Sequence, residues 1–150
     1  MAIEDFRPTT AQVAAELPDR VKGDNGAPLE DFTDDTWPPA GQVEDQIDQA
    51  VRDVALAVGS SLSDPELVEA AKLLATRRAA MLVELRYFRR EVQQGLSNYE
   101  QLRDEWRDGR DALVRAVEEA AAGGEPGAVD NTVAPSFSFP PASGIGRAGW

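Results

Sequence analysis

Between Ser63 and Gly95, apolar residues recur at alternating steps of four and three: Leu67, Ala71, Leu74, Met81, Leu85, Phe88 and Val92 share one stripe, in which only position 78 is polar. That spacing predicts a single long helix. Val68, Ala70, Leu73, Ala75, Ala79, Leu82 and Val83 widen the stripe until a narrow wet edge remains at Glu69, Lys72 and Thr76. A helix apolar around most of its circumference must be wrapped by neighbours. Its start is signalled by Ser63 and Asp64 as caps, by Pro65 in the first turn and by Glu66, which completes a capping box from Ser63.

The same patterning places shorter helices on either side. Thr9 with Gln12 forms a capping box for a first helix whose apolar positions are Val13 and Leu17 and which Pro18 stops. Residues 19–37 are too rich in Gly, Asp and Pro for a helix. Asp24-Asn25-Gly26 is a turn signal between Arg20–Lys22 and Leu29–Phe32, so this long loop holds a small hairpin. Thr36 caps the next helix, with Pro38 and Pro39 near its first turn and Gly59 after its end at about Val58. Val43, Ile47, Ala50, Val51, Val54 and Val58 face inward there, while Glu44, Asp45, Asp48, Arg52 and Asp53 face outward and Leu56 lies exposed among them. A last helix begins at Ser97 with Glu100 as box partner and runs to about Ala122, burying Tyr99, Leu102, Trp106, Leu113, Val114 and Val117. Gly109 projects toward its packed side and permits close approach. Outside it, Glu100 with Arg103, Arg107 with Asp111, and Asp111 with Arg115 are spaced for pairing.

The expected fold is therefore all-α: a small bundle around one long central helix over residues 1–122, followed by an extended arm over 123–150. The arm holds six glycines and four prolines in 28 residues. Phe137 and Phe139 alternate with serines as in a half-buried strand, and Trp150 is the last residue, so the arm reads either as a plain flexible tail or as a segment that docks by adding a strand to a partner's sheet.

Composition removes several function classes. Cysteine and histidine are both absent, which leaves no thiolate, no disulfide and no imidazole base or zinc ligand. No stretch approaches the roughly 18 apolar residues of a membrane span, and the acidic start lacks a signal-peptide core. There is no phosphate-cradling glycine loop and no nucleophile elbow. The neighbouring acids Asp34 with Asp35 and Asp104 with Glu105 are poorly arranged for a cation, since adjacent acids on a helix point apart. No enzyme activity, cofactor or metal is expected.

The net charge of −12 argues against a nucleic-acid-binding surface. It is also unevenly spread: residues 1–53 carry 13 acids and 4 bases, or −9, and residues 72–115 carry 10 bases and 7 acids, or +3. These are either two solvated faces or the complementary halves of a head-to-tail contact between copies. On the second reading Arg78, Arg86, Arg89 and Arg90 of one copy meet acids such as Asp45 and Asp48 of another. Arg78, mid-stripe on the apolar face, needs either to extend its head past the bundle or to meet a carboxylate.

The succession FTDDTWPPAGQVEDQIDQAV, an alanine-rich helix started by Asp-Pro, ELRYFRREV and a further amphipathic helix resembles the head-to-tail adaptor, or connector, proteins of long-tailed bacteriophages, especially those of actinobacterial hosts. The likeness covers about residues 6–120 and rests on Phe32 to Thr36, Pro38, Gln42-Val43 and residues 86–90. It implies a structural virion protein, made in the host cytoplasm and placed at the head-tail junction. Such a protein forms an oligomeric, dodecameric ring beneath the portal protein, a channel through which genomic DNA passes without specific binding, and a platform for a stopper or tail-completion protein. No membrane is involved. An acidic channel wall repels phosphates, and Asp24, Asp31, Asp34 and Asp35 in the long loop are its candidate lining. The rival expectation is a small regulatory or chaperone-like helical protein that forms no ring.

Overall fold

In the computed structural model, which describes residues 3–59 and 62–123, the predicted central helix is α3, Pro65–Tyr87. Asp64 rather than Ser63 caps it: the Asp64 carboxylate accepts from the Glu66 N–H at 2.8 Å. An aspartate one residue nearer the first turn reaches that N–H and adds a negative charge at the positive helix end. Ala71, Ala75, Ala79 and Ala80 are fully buried along α3, and Val68, Leu74, Met81 and Val83 flank them. Small side chains on this stripe let α2, Ala40–Val58, lie close and bury Val43, Ile47, Ala50, Val51 and Val54 against it. The expected wet edge is shifted. Thr76 is buried with its hydroxyl donating to Lys72 O at 2.8 Å, whereas Leu73 and Leu85 are 47% and 42% exposed.

The other side of α3 takes α1, Thr10–Glu16, and a 3-10 turn at Ile3–Phe6. The Thr9/Gln12 capping box forms in both directions, and Phe6, Val13 and Leu17 are buried. In the loop that follows, the expected hairpin is reduced to one antiparallel bridge between Lys22 and Pro28. Its turn is closed by Gly26, whose φ of 77° suits glycine. Thr36 does not cap α2. Its buried hydroxyl lies 2.8 Å from both Thr33 O and Pro38 O and accepts from Thr33 N–H, so it knots the turn before the helix, and Pro39 stands at the cap position. Gly59 ends α2 as its sequence predicts, with its N–H bonded to Ala55 O.

The single helix expected from Ser63 to Gly95 is broken at Phe88, whose backbone leaves the helical region, and resumes as α4, Arg89–Gln93. Gly95, at φ 71°, then closes α4: Gly95 N–H donates to Val92 O and Leu96 N–H to Glu91 O, the paired bonds of a left-handed helix stop. Ser97 accepts from Tyr99 N–H at 2.9 Å to begin α5, Tyr99–Gly123. α5 meets α3 through side chains, with Leu102 and Leu113 buried and Tyr99, Trp106, Val114 and Val117 partly so. The close approach expected at Gly109 is present, since a Cβ there would stand 3.0 Å from Leu74 Cδ1. On the outer face Glu100 pairs with Arg103 as spaced, but Arg107 pairs with Asp104 and Asp108, and Asp111 with Arg110. The compact unit ends at Val117, and Glu118 to Gly123 continue as helix in a second unit.

Ile47, on the inner face of α2, is 1% exposed. Ile47→Ala leaves a cavity there and is expected to lower unfolding free energy by about 2–5 kcal/mol, read as a shift of the urea midpoint followed by helical circular dichroism.

Candidate interaction surfaces

Three elements converge where α3 breaks. Glu84 on α3 is 1% exposed, and its carboxylate accepts from Arg20 Nε at 2.8 Å and from a terminal nitrogen of the same guanidinium at 3.2 Å. Arg20 also donates to Leu96 O and stacks on the Phe88 ring at 4.6 Å. The hydrogen bond to Glu84 raises the Arg20 pKa above its ordinary value, against the opposing effect of burial. One guanidinium thus ties the loop after α1 to α3, to the break and to the turn before α5. Asn98 adds a bond from that turn to Glu16 O at 3.0 Å. Sequence patterning passes over this brace, although Glu84 is a lone acid that follows Val83 one turn after Ala80–Met81 on the apolar stretch, a position that demands a cation.

On the outside of the same break, Trp37 from the loop before α2 meets Tyr87 at the end of α3, edge to face, with centroids 5.8 Å apart. Trp37 nevertheless remains 62% exposed. Arg86, Arg89 and Arg90 are exposed nearby in sequence and make no ion pair with any described residue. An exposed tryptophan on a half-buried tyrosine, with unpaired arginines adjacent in sequence, has the make-up of a protein-binding surface.

The remaining candidates divide. Arg78 is satisfied within its own chain: Nε lies 2.7 Å from Asp53 Oδ2 and the guanidinium sits over Trp106 at 5.2 Å, joining α2, α3 and α5. A carboxylate from a second copy is therefore not needed there. Asp48 and Glu44 share Arg7, while Asp45 is exposed and makes no ion pair with a described residue. In the loop, Asp24, Asp34 and Asp35 are exposed, and Asp31 is half-buried with its carboxylate accepting from Phe32 N–H at 2.7 Å. Phe137, Phe139 and Trp150 lie outside the described residues.

Between α3 and α5 runs an open apolar groove of about 320 Å³. Leu74 and Leu113 form its buried floor, Ala70 and Leu73 one wall, and Ala112 and Ala116 the other. Arg77 closes one end, with Nε 3.2 Å from Glu105 Oε2, near enough for ion pairing but not aligned as a hydrogen bond.

Among the described residues no helix is long and apolar enough to cross a membrane, and no three acidic side chains converge as a metal site. Set against models of known protein families, curated proteins and solved structures, the chain matches none.

Arg20→Leu leaves Glu84 charged and unpaired in the interior and is expected to destabilise the fold by about 3–5 kcal/mol. The double variant Arg20→Leu/Glu84→Leu recovers most of that loss, which a double-mutant cycle of urea midpoints measures.

Proposed function

We propose that this chain is a structural protein of the head-to-tail adaptor type, assembling copy to copy into a ring beneath a portal protein at the head-tail junction of a virion. The ring, dodecameric if the sequence resemblance holds, gives genomic DNA a channel and offers the next stopper or tail-completion protein a platform. One observation carries this reading. The two parts that hold the resemblance, Phe32 to Thr36 with Pro38 and Gln42-Val43, and residues 86–90, lie far apart in sequence yet are brought together by the Trp37–Tyr87 contact, with the exposed Arg86, Arg89 and Arg90 next to Tyr87 in sequence.

The arginines at 86, 89 and 90 make the end of α3 and α4 basic, while the outer face of α2 is acidic, and the two belong to different parts of the chain. Self-complementary patches at different places on one subunit make heterologous contacts, which close into a ring when the rotation between neighbours allows. The excess of acid elsewhere suits a DNA conduit, because a negative wall repels phosphates instead of holding them.

Trp37→Ala and the charge reversal Arg89→Glu/Arg90→Glu are each expected to raise the concentration needed for assembly at least tenfold, a loss of about 1.4 kcal/mol or more per contact. Their circular dichroism and melting should match the parent chain, and light scattering with and without portal protein reads the assembly. Variants that assemble and bind portal like the parent would remove this surface from the interface; a parent chain that stays single-copy and ignores portal would favour a regulatory or chaperone-like protein.

A further inference from the structure

Leu56 is 86% exposed, the most exposed large apolar side chain among the described residues. It points away from α3, because the buried positions of α2 lie on the opposite side of that helix. The apolar groove between α3 and α5 is on a different part of the same unit, and its Leu73 wall is itself 47% exposed. We infer that Leu56 of one copy inserts into the α3/α5 groove of the next. This deepens the assembly reading above and rests on it.

Charge decides for a second copy of this chain as the occupant. Along the outer stripe of α2, Leu56 is preceded by exposed Arg52 at four residues and by exposed Asp45 at eleven. At 1.5 Å of rise per residue these lie about 6 Å and about 16 Å toward the helix start. The groove presents the opposite order. Asp108 stands four residues before Ala112 on α5, again about 6 Å away, and Arg77 is held beside Glu105, about 10 Å away along the axis. With the two helices parallel and Leu56 against Ala112, Arg52 faces Asp108, while Asp45 falls about 6 Å beyond the level of the Arg77–Glu105 pair. Leucine in an alanine-walled groove and base on acid fall in one register. The opposite direction would bring Arg52 level with Ala116, beside the cation of Arg115.

The contact joins two different faces, so each copy keeps one free knob and one free groove. Contacts of that kind propagate from copy to copy rather than stopping at two. Copies so joined leave the Trp37–Tyr87 surface available for a second set of contacts.

The chain contains no cysteine, so a pair of introduced thiols reports on this contact alone. The full-length L56C/A112C variant, oxidised with copper phenanthroline, should give a ladder of covalent dimers, trimers and larger species on a non-reducing gel, whereas each single variant stops at faint dimers. Arg52→Asp should raise the assembly concentration about tenfold, and adding Asp108→Arg in the same chain should restore it. The inference is overturned if the parent assembles but the double-cysteine chain gives no intermolecular bond, closes within one chain, or stops at dimers. It is equally overturned if the charge swap fails to restore assembly. A parent chain that never assembles defeats the ring reading itself, which light scattering on unmodified protein separates from the other outcomes.

Discussion

The fold depends on covering α3. Its buried alanines, Ala71, Ala75, Ala79 and Ala80, contribute little area each, but they let α2 come close enough for Val43, Ile47, Val51 and Val54 of that helix to leave water together. Burial of this kind is worth roughly 25 cal/mol per Å² of apolar surface, and it is available only if neighbours wrap the helix on several sides. α1 and the 3-10 turn cover a second side. α5 covers the third incompletely, resting on α3 through Leu102, Trp106 and Leu113 and leaving Leu73 partly in water. The wrapping within one chain is incomplete on that side, and apolar surface stays open there.

Polar groups then fix how the wrapping elements meet. Two arginines do this in parallel ways. Arg20 joins a loop, a helix and an interhelical turn through Glu84, Leu96 and the Phe88 ring; Arg78 joins α2, α3 and α5 through Asp53 and Trp106. Each places a delocalised cation between a carboxylate and an aromatic face, a geometry that lysine does not reproduce. With these two engaged inside, Arg86, Arg89 and Arg90 are left exposed without an ion pair to any described residue, close in sequence to the break that Arg20 helps to shape.

Much of this was legible in the chain. The period of α3, the Thr9/Gln12 capping box, the glycine stops at Gly59 and Gly95 and the close approach at Gly109 are local signals, and local physics reads them. The failures have a common origin in contacts between residues distant in sequence. Nothing near Phe88 announces a break, since no proline or glycine stands there; Arg20, 68 positions earlier, packs on its ring and binds the preceding turn. Thr36 has a capping residue's chemistry, but its hydroxyl is taken by Thr33 and Pro38. Arg78 reads from the sequence as a cation that either extends past the bundle or meets an acid of another copy; the carboxylate it meets is Asp53 of its own chain, to which no helical spacing points. Of the candidate surfaces, the Arg86 to Arg90 cluster could be read directly. The Trp37–Tyr87 contact and the apolar groove between α3 and α5 exist only once the chain is folded.

The account stands on one claim, that the uncovered surfaces of this bundle are made for further copies of itself. Native mass spectrometry of the unmodified full chain over rising concentration tests it most directly. The account predicts a closed assembly of one fixed copy number growing at the expense of the single chain. A single chain persisting alone at the highest concentrations would contradict it.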